Sequence, residues 1–184
     1  MSRILPSTLE VVRRQLNQFL QNAEARSDDW VVLTSLLEPD GSANGAALNR
    51  IVMLLTNIQR DTGRGGLPGA PLEVAVDLGF IANFPAAQYA DGLTALSLVI
   101  ACLQQQPLLT PASHPGLDRE LEKVSLELLN QSPADLNHLF GMLGAKYQPA
   151  VFYRLRLLPY GAADRQGRPL PVRGGGQDPP ALRR

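Results

Sequence analysis

Residues 72–80 read Leu-Glu-Val-Ala-Val-Asp-Leu-Gly-Phe, and this alternation constrains the fold more than any other feature of the chain. Leu72, Val74, Val76, Leu78 and Phe80 fall on one side of an extended strand, Glu73, Ala75, Asp77 and Gly79 on the other. Such a strand needs neighbouring strands and an apolar cover on one face. Its second face is expected to be wet.

The rest of the chain supplies those neighbours and that cover. Leu9, Val12, Leu16, Phe19 and Leu20 recur at helical spacing after Pro6, Ser7 and Thr8, which predicts an opening helix ending before Ser27. A short strand is expected over Trp30–Leu37, stopped by a turn at Pro39, Asp40 and Gly41. Asn49–Ile58 is almost continuously apolar, as a central strand covered on both faces would be. Gly63, Gly65, Gly66, Pro68, Gly69 and Pro71 predict a loop before the alternating strand.

A second helix starts at Pro85, carries Leu93, Leu96, Ile100 and Leu103, and ends at Pro107. Val124, Leu126 and Leu128 alternate as a fourth strand. Ser132, Pro133 and Asp135 form a helix start, Leu136, Leu139, Phe140 and Leu143 its buried stripe, and Gly144 its stop. In the last strand Val151, Tyr153, Leu155 and Leu157 form an apolar side, while Arg154 and Arg156 make the other side basic. The expected fold is therefore α+β: a single domain over 1–160 with a mixed, mostly antiparallel sheet of about five strands and helices on one face. The Pro/Gly/Arg-rich segment 161–184 reads as a tail.

Composition limits the function. With 184 residues the chain can bury roughly 70% of its unfolded surface in one core. Seventeen basic residues balance seventeen acidic ones, so no overall field draws nucleic acid or an anionic membrane toward it. Cys102, the single cysteine, has no internal partner, as suits a reducing, cytoplasmic place of assembly. The N-terminus lacks the apolar run of a secretory signal, and the longest apolar stretch, Leu93–Leu103, is too short to span a bilayer. The reading is a soluble chain without membrane insertion.

A search for chemistry yields no cofactor, metal or catalytic set. His114 stands in a loop with no second imidazole or thiol near it in sequence, and His138 reads as a structural histidine beside buried positions. Asp118, Glu120 and Glu122 read as a solvated edge beside Arg119 and Lys123 rather than paired acids. The glycines at 63–66 lead into a strand, where a phosphate cradle requires a helix N-terminus. Ser97 and Cys102 face no base, and Cys102 reads as a small core residue. What remains is surface for partners.

The segment Ser125–Leu158 is the most informative. Leu136-Asn137-His138-Leu139 on a helix, then Gly144, Lys146, Tyr147 and Pro149 in a turn, then a closing strand, resemble the cap proteins of extracellular contractile injection systems of the antifeeding-prophage and virulence-cassette type. The opening helix, the strand ending Thr56-Asn57-Ile58 and the stretch from Leu72 through Ala82, Asn83 and Phe84 to Tyr89 agree in order, so the resemblance covers Met1–Tyr160 and leaves the tail outside it.

That resemblance implies a tail-terminator-like fold and a structural, non-enzymatic subunit: a homohexameric ring that ends tube polymerisation and holds the last sheath layer. Its partners would be further copies, the inner tube protein and the sheath protein, within a particle assembled in the cytoplasm and then released or membrane-docked. The expected interface residues are Lys146, Tyr147, Arg154 and Arg156, with Arg60 and Arg64 near the glycine-rich loop. Two other classes stay open: a small-ligand or regulatory module, and a small enzyme using His138 or the acidic cluster.

Overall fold

A computed structural model describes residues 3–24, 28–61 and 73–159. The glycine-rich stretch after Asp61 and the C-terminal segment lie outside them. The chain order is α1 (Ile4–Ala23), β1 (Val31–Leu33), β2 (Arg50–Arg60), β3 (Val74–Asn83), α2 (Tyr89–Gln105), β4 (Leu108–Leu109), β5 (Leu121–Leu129), α3 (Pro133–Met142) and β6 (Ala150–Pro159). These strands form one mixed sheet in the order β1-β2-β3-β6-β5-β4, in which only the β1–β2 pair is parallel. Among the described residues the strand count is six, not five. β4 adds only two residues, too few for any periodicity to show.

Alternation decides which helix covers which face. Ile51 and Met53 of β2, Val76, Leu78 and Phe80 of β3, and Tyr153, Leu155 and Leu157 of β6 share a core with Val12, Leu16 and Leu20 of α1 and with Ala95, Val99 and Leu103 of α2. Their alternates Val52, Leu54 and Ile81 point the other way, where Phe140 of α3 packs with Leu36 and Ala47. The helices therefore lie on both faces, not one. The first four apolar residues of β2 are buried from both sides, as its continuous hydrophobicity predicted, and its far half is open.

Two further expectations are corrected. The supposedly wet side of β3 is closed, because Ala75, Asp77 and Ile81 are all buried. At Gly79 the ring of Phe152 sits so near that an added Cβ would meet it at 3.0 Å, which only a glycine tolerates without movement. β1 stops at Leu33 because Asn44 Nδ2 donates to Thr34 Oγ1 and to the Ser35 carbonyl, both at 2.9 Å, and draws the following residues into a turn of their own. Between Leu55 and Asn57 the β2–β3 register slips by one residue, a β-bulge at Thr56.

α1 is tied to the sheet through Asn17, which is 4% exposed: its Nδ2 donates to the Val31 carbonyl (2.9 Å) and its Oδ1 accepts from Val31 N–H (2.8 Å). The stretch Ala86–Gln105, apolar enough to pass for a membrane span by composition, carries α2, whose Ala95, Val99 and Cys102 are in the core. On the outer side of α1, hydrogen bonds from Arg13 and then Arg14 hold the Glu10 carboxyl down to about 2 from its ordinary 4.5, and Arg13 also bridges Asp29 at 2.6 Å. A depressed carboxylate contributes stability above its unfolded value, and that contribution is lost as pH falls toward the folded one. Compared with Glu10→Gln, the wild-type chain should lose urea resistance between pH 4.5 and 2, less steeply in high salt because the group is partly exposed. Parallel curves through that window would refute the role given to Glu10.

Candidate assembly interface

The sheet face opposite α1 and α2 is apolar under α3 and polar beyond it. There the β2–β3 and β3–β6 registers align Asn57 with Asp77 and Asp77 with Arg154, and the β5–β6 register adds Glu127 beside Arg154. Arg154 grips Asp77 in a fork, Nε to Oδ1 at 2.7 Å and Nη2 to Oδ2 at 3.0 Å. The Gln59 amide, with its oxygen turned toward the guanidinium, accepts from Arg154 Nε at 2.9 Å. Arg156 donates to Asp61 Oδ1 at 2.7 Å and to Glu127 Oε2 at 3.2 Å. The bonds to Asp77 raise the Arg154 guanidinium pKa further, and those to Asp61 and then Glu127 raise that of Arg156.

Arg154 and Arg156 thus occupy an inner strand, each matched by carboxylates. The basic side foreseen for the last strand exists, yet its charge is met within the chain. A Glu at either position would stand against Asp77, Asp61 or Glu127, so charge reversal cannot be expected to leave the subunit's stability untouched. Asp61 and Asp77 are the residues the sequence did not single out. Asp77 could have been found as the acid in the middle of an otherwise apolar strand, with Glu73 at its start.

The other candidates lie apart from this ladder. Arg60 is exposed at the end of β2, and Arg64 is outside the described residues. Lys146 and Tyr147 are exposed on the turn after α3. That helix begins as its sequence predicts: Ser132 and Asp135 make a reciprocal capping box, with Pro133 in the first turn. It ends at Gly144, whose φ of +65° few other residues adopt. Tyr147, 64% exposed, sets its ring edge-on to Phe140 at 5.5 Å between centroids. It both covers the helix end and faces outward, beside an open cavity of about 520 Å³ that reaches Pro133, Leu136 and Ala145. Met142, 77% exposed, adds an apolar side chain at the end of the same helix.

The groups considered for chemistry are scattered. Among the described residues no three His, Cys, Asp or Glu side chains come together as a metal site. His138 is exposed and not held in the core, contrary to its reading as a structural histidine. His114 Nδ1 lies 2.9 Å from Ser113 Oγ in its loop, and burial lowers its pKa. Cys102 is a core residue whose thiol burial pushes up to about 11. Ser97 Oγ donates to the Leu93 carbonyl of its own helix.

The Pvc16 N-terminal domain family model matches residues 7–174. That span runs beyond Tyr160, so part of the C-terminal segment, Pro169 and Pro171 included, falls within the family pattern and not outside it. The fold resembles that of the anti-feeding prophage cap, described as a tube terminating cap, with a TM-score of 0.50 and 13% identity over 84% of this chain and 54% of that one. It also resembles the PVC sheath/tube terminator of an extracellular contractile injection system in its extended state, with a TM-score of 0.51 and 12% identity over 84% and 56%. The chain spans little more than half the length of either. No curated protein sequence matches it. The helix-and-turn segment, the mixed sheet covered on both faces and a family match over nearly the whole length agree, and the chain belongs to the Pvc16 N-terminal domain family.

Proposed function

We propose that this chain is a structural cap subunit, a tail terminator of a phage-tail-like contractile injection system. It forms a ring, homohexameric by family analogy, that ends growth of the inner tube and anchors the last layer of sheath. The observation that carries this reading is the family match together with a fold shared with two tube or sheath terminators. Such a role needs complementary faces and symmetry, without bond-making groups. The subunit is assembled in the cytoplasm as part of a particle that is then released or membrane-docked.

In this reading Lys146, Tyr147, Arg60 and Arg64 touch neighbours, and the exposure of the first three supports it. Arg154 and Arg156 act one step removed, by holding the sheet face on which contacts form. The body over 1–160 carries the ring, and 161–184 serves as an arm toward partners.

The test is reconstitution. Tube and sheath proteins of the same system are polymerised with and without this chain, and lengths and ends are measured by electron microscopy. The expected result is a narrowed length distribution with one capped end. Unchanged tubes beside a chain that stays monomeric would remove the proposal.

A further inference from the structure

Both borders of the sheet are only half covered, and the uncovered halves are complementary. β1 lies along the N-terminal half of β2, pairing Val31 with Ile51 and Leu33 with Met53. β4 lies along the N-terminal half of β5, pairing Leu109 with Val124 and Leu108 with Ser125. Counting across the sheet, β2 and β5 run in opposite directions, so the covered halves sit at opposite ends. Among the described residues the outer edge of β2 beyond Leu55 and that of β5 beyond Leu126 have no strand beside them.

Backbone polarity identifies the groups left over. Asp61 N–H donates inward to Glu73 O, so alternation along β2 turns the N–H and C=O of Ile58 and Arg60 outward. On β5, Leu126 N–H donates outward to Pro107 O, so Leu128, two residues on, also faces out. Ile58 and Leu128 are 55% and 44% exposed. Through their register partners Val76 and Tyr153 both point to the sheet face that carries α1 and α2. A free edge flanked by exposed apolar side chains is a template for another strand.

The geometry points to strand addition as the contact between copies: the free end of β2 in one copy pairs antiparallel with the free end of β5 in the next, Ile58 opposite Leu128. This rests on the ring reading above. Sliding β5 of the second copy toward the C-terminal end of β2 leaves β1 of the first copy beyond Leu129, while Pro107 of the second copy, whose carbonyl already holds Leu126 N–H, comes opposite Arg60 and limits the join to residues 57–59 against 127–129. The alternation of strand directions continues from one copy to the next, and so does the helix-covered face. Two different edges are used, so the contact is head-to-tail, the kind that closes into a ring when the rotation between copies allows and otherwise runs on as a filament.

Cysteine pairing tests it directly. Outward-facing residues opposite one another form a hydrogen-bonded pair with Cα atoms about 5.5 Å apart, inside the roughly 4.4–6.8 Å that a disulfide accepts. Full-length Ile58→Cys and Leu128→Cys chains are oxidised separately and mixed, with the wild type, whose Cys102 is buried, as control. Linked species are expected only in the mixture, and the double variant should form a covalent ring. Ile58→Pro, which removes the outward N–H, should weaken association at least ~tenfold with an unchanged melting temperature, while Ile58→Thr should not.

Links within either single variant alone, or assembled rings without the mixed link, would overturn the strand pairing and leave the ring standing. A chain that never associates, alone or on tubes, would overturn both.

Discussion

Asn17→Ala should lower the unfolding free energy by about 3 kcal/mol, because two buried backbone groups lose their partners at once. Val31 is fully buried, and both its N–H and its carbonyl are bonded to the Asn17 side chain. Alanine can neither donate nor accept. For a domain of this size that loss lowers the melting temperature by roughly 10 °C. Asn17→Asp should fall between, since a carboxylate still accepts from Val31 N–H but cannot donate to its carbonyl. Chemical denaturation of the three chains checks the order. A loss under ~1 kcal/mol for alanine would mean that α1 is held by its apolar stripe alone.

Arg154→Glu should cost about as much, again near ~3 kcal/mol, by a different route. It removes the fork on Asp77, which is 8% exposed, and sets a third carboxylate beside Asp77 and Glu127. The arginine is itself 27% exposed, so solvent screening keeps the effect toward the low end of what a buried pair shows. Neutral substitution separates the contributions. Arg154→Met alone should destabilise, and adding Asp77→Asn should recover most of the loss, since removing both partners leaves no charge stranded. If Arg154→Glu unfolds within ~0.5 kcal/mol of the wild type, the ladder contributes little and the arginine is free to serve a neighbour instead.

Local signals carried far in this chain. The alternation of residues 74–80, the stripe of α1, and the cap and glycine stop of α3 are each local signals, and each forms where its residues predict, while Leu72 lies outside the described residues. The helix-and-turn residues from Leu136 to Pro149 also pointed to the family. What was not legible depends on distant partners. Asp77 looked solvated because its arginine lies 77 residues away, on a strand that the sequence shows only as half basic. The face assigned to α3 could not be read, since its stripe fits either side of a sheet and only the buried alternates Val52, Leu54 and Ile81 decide between them. The uncovered edges were hidden as well, because they follow from how short β1 and β4 are, and β1 is cut short by an asparagine eleven residues past its end.

Thr56, the additional residue in β2, inverts the facing of everything that follows it. Under strict alternation Asn57 and Gln59 would have turned toward α1 and α2, and Ile58 would have been thrust among the ionic pairs around Asp77. With it, the amides join those pairs and the isoleucine emerges on the greasy side of the border. A gain or loss of one residue anywhere between Met53 and Ile58 therefore exchanges the chemical character of both surfaces of the far half of β2. Length variation between Met53 and Ile58 is tolerable only in steps of two.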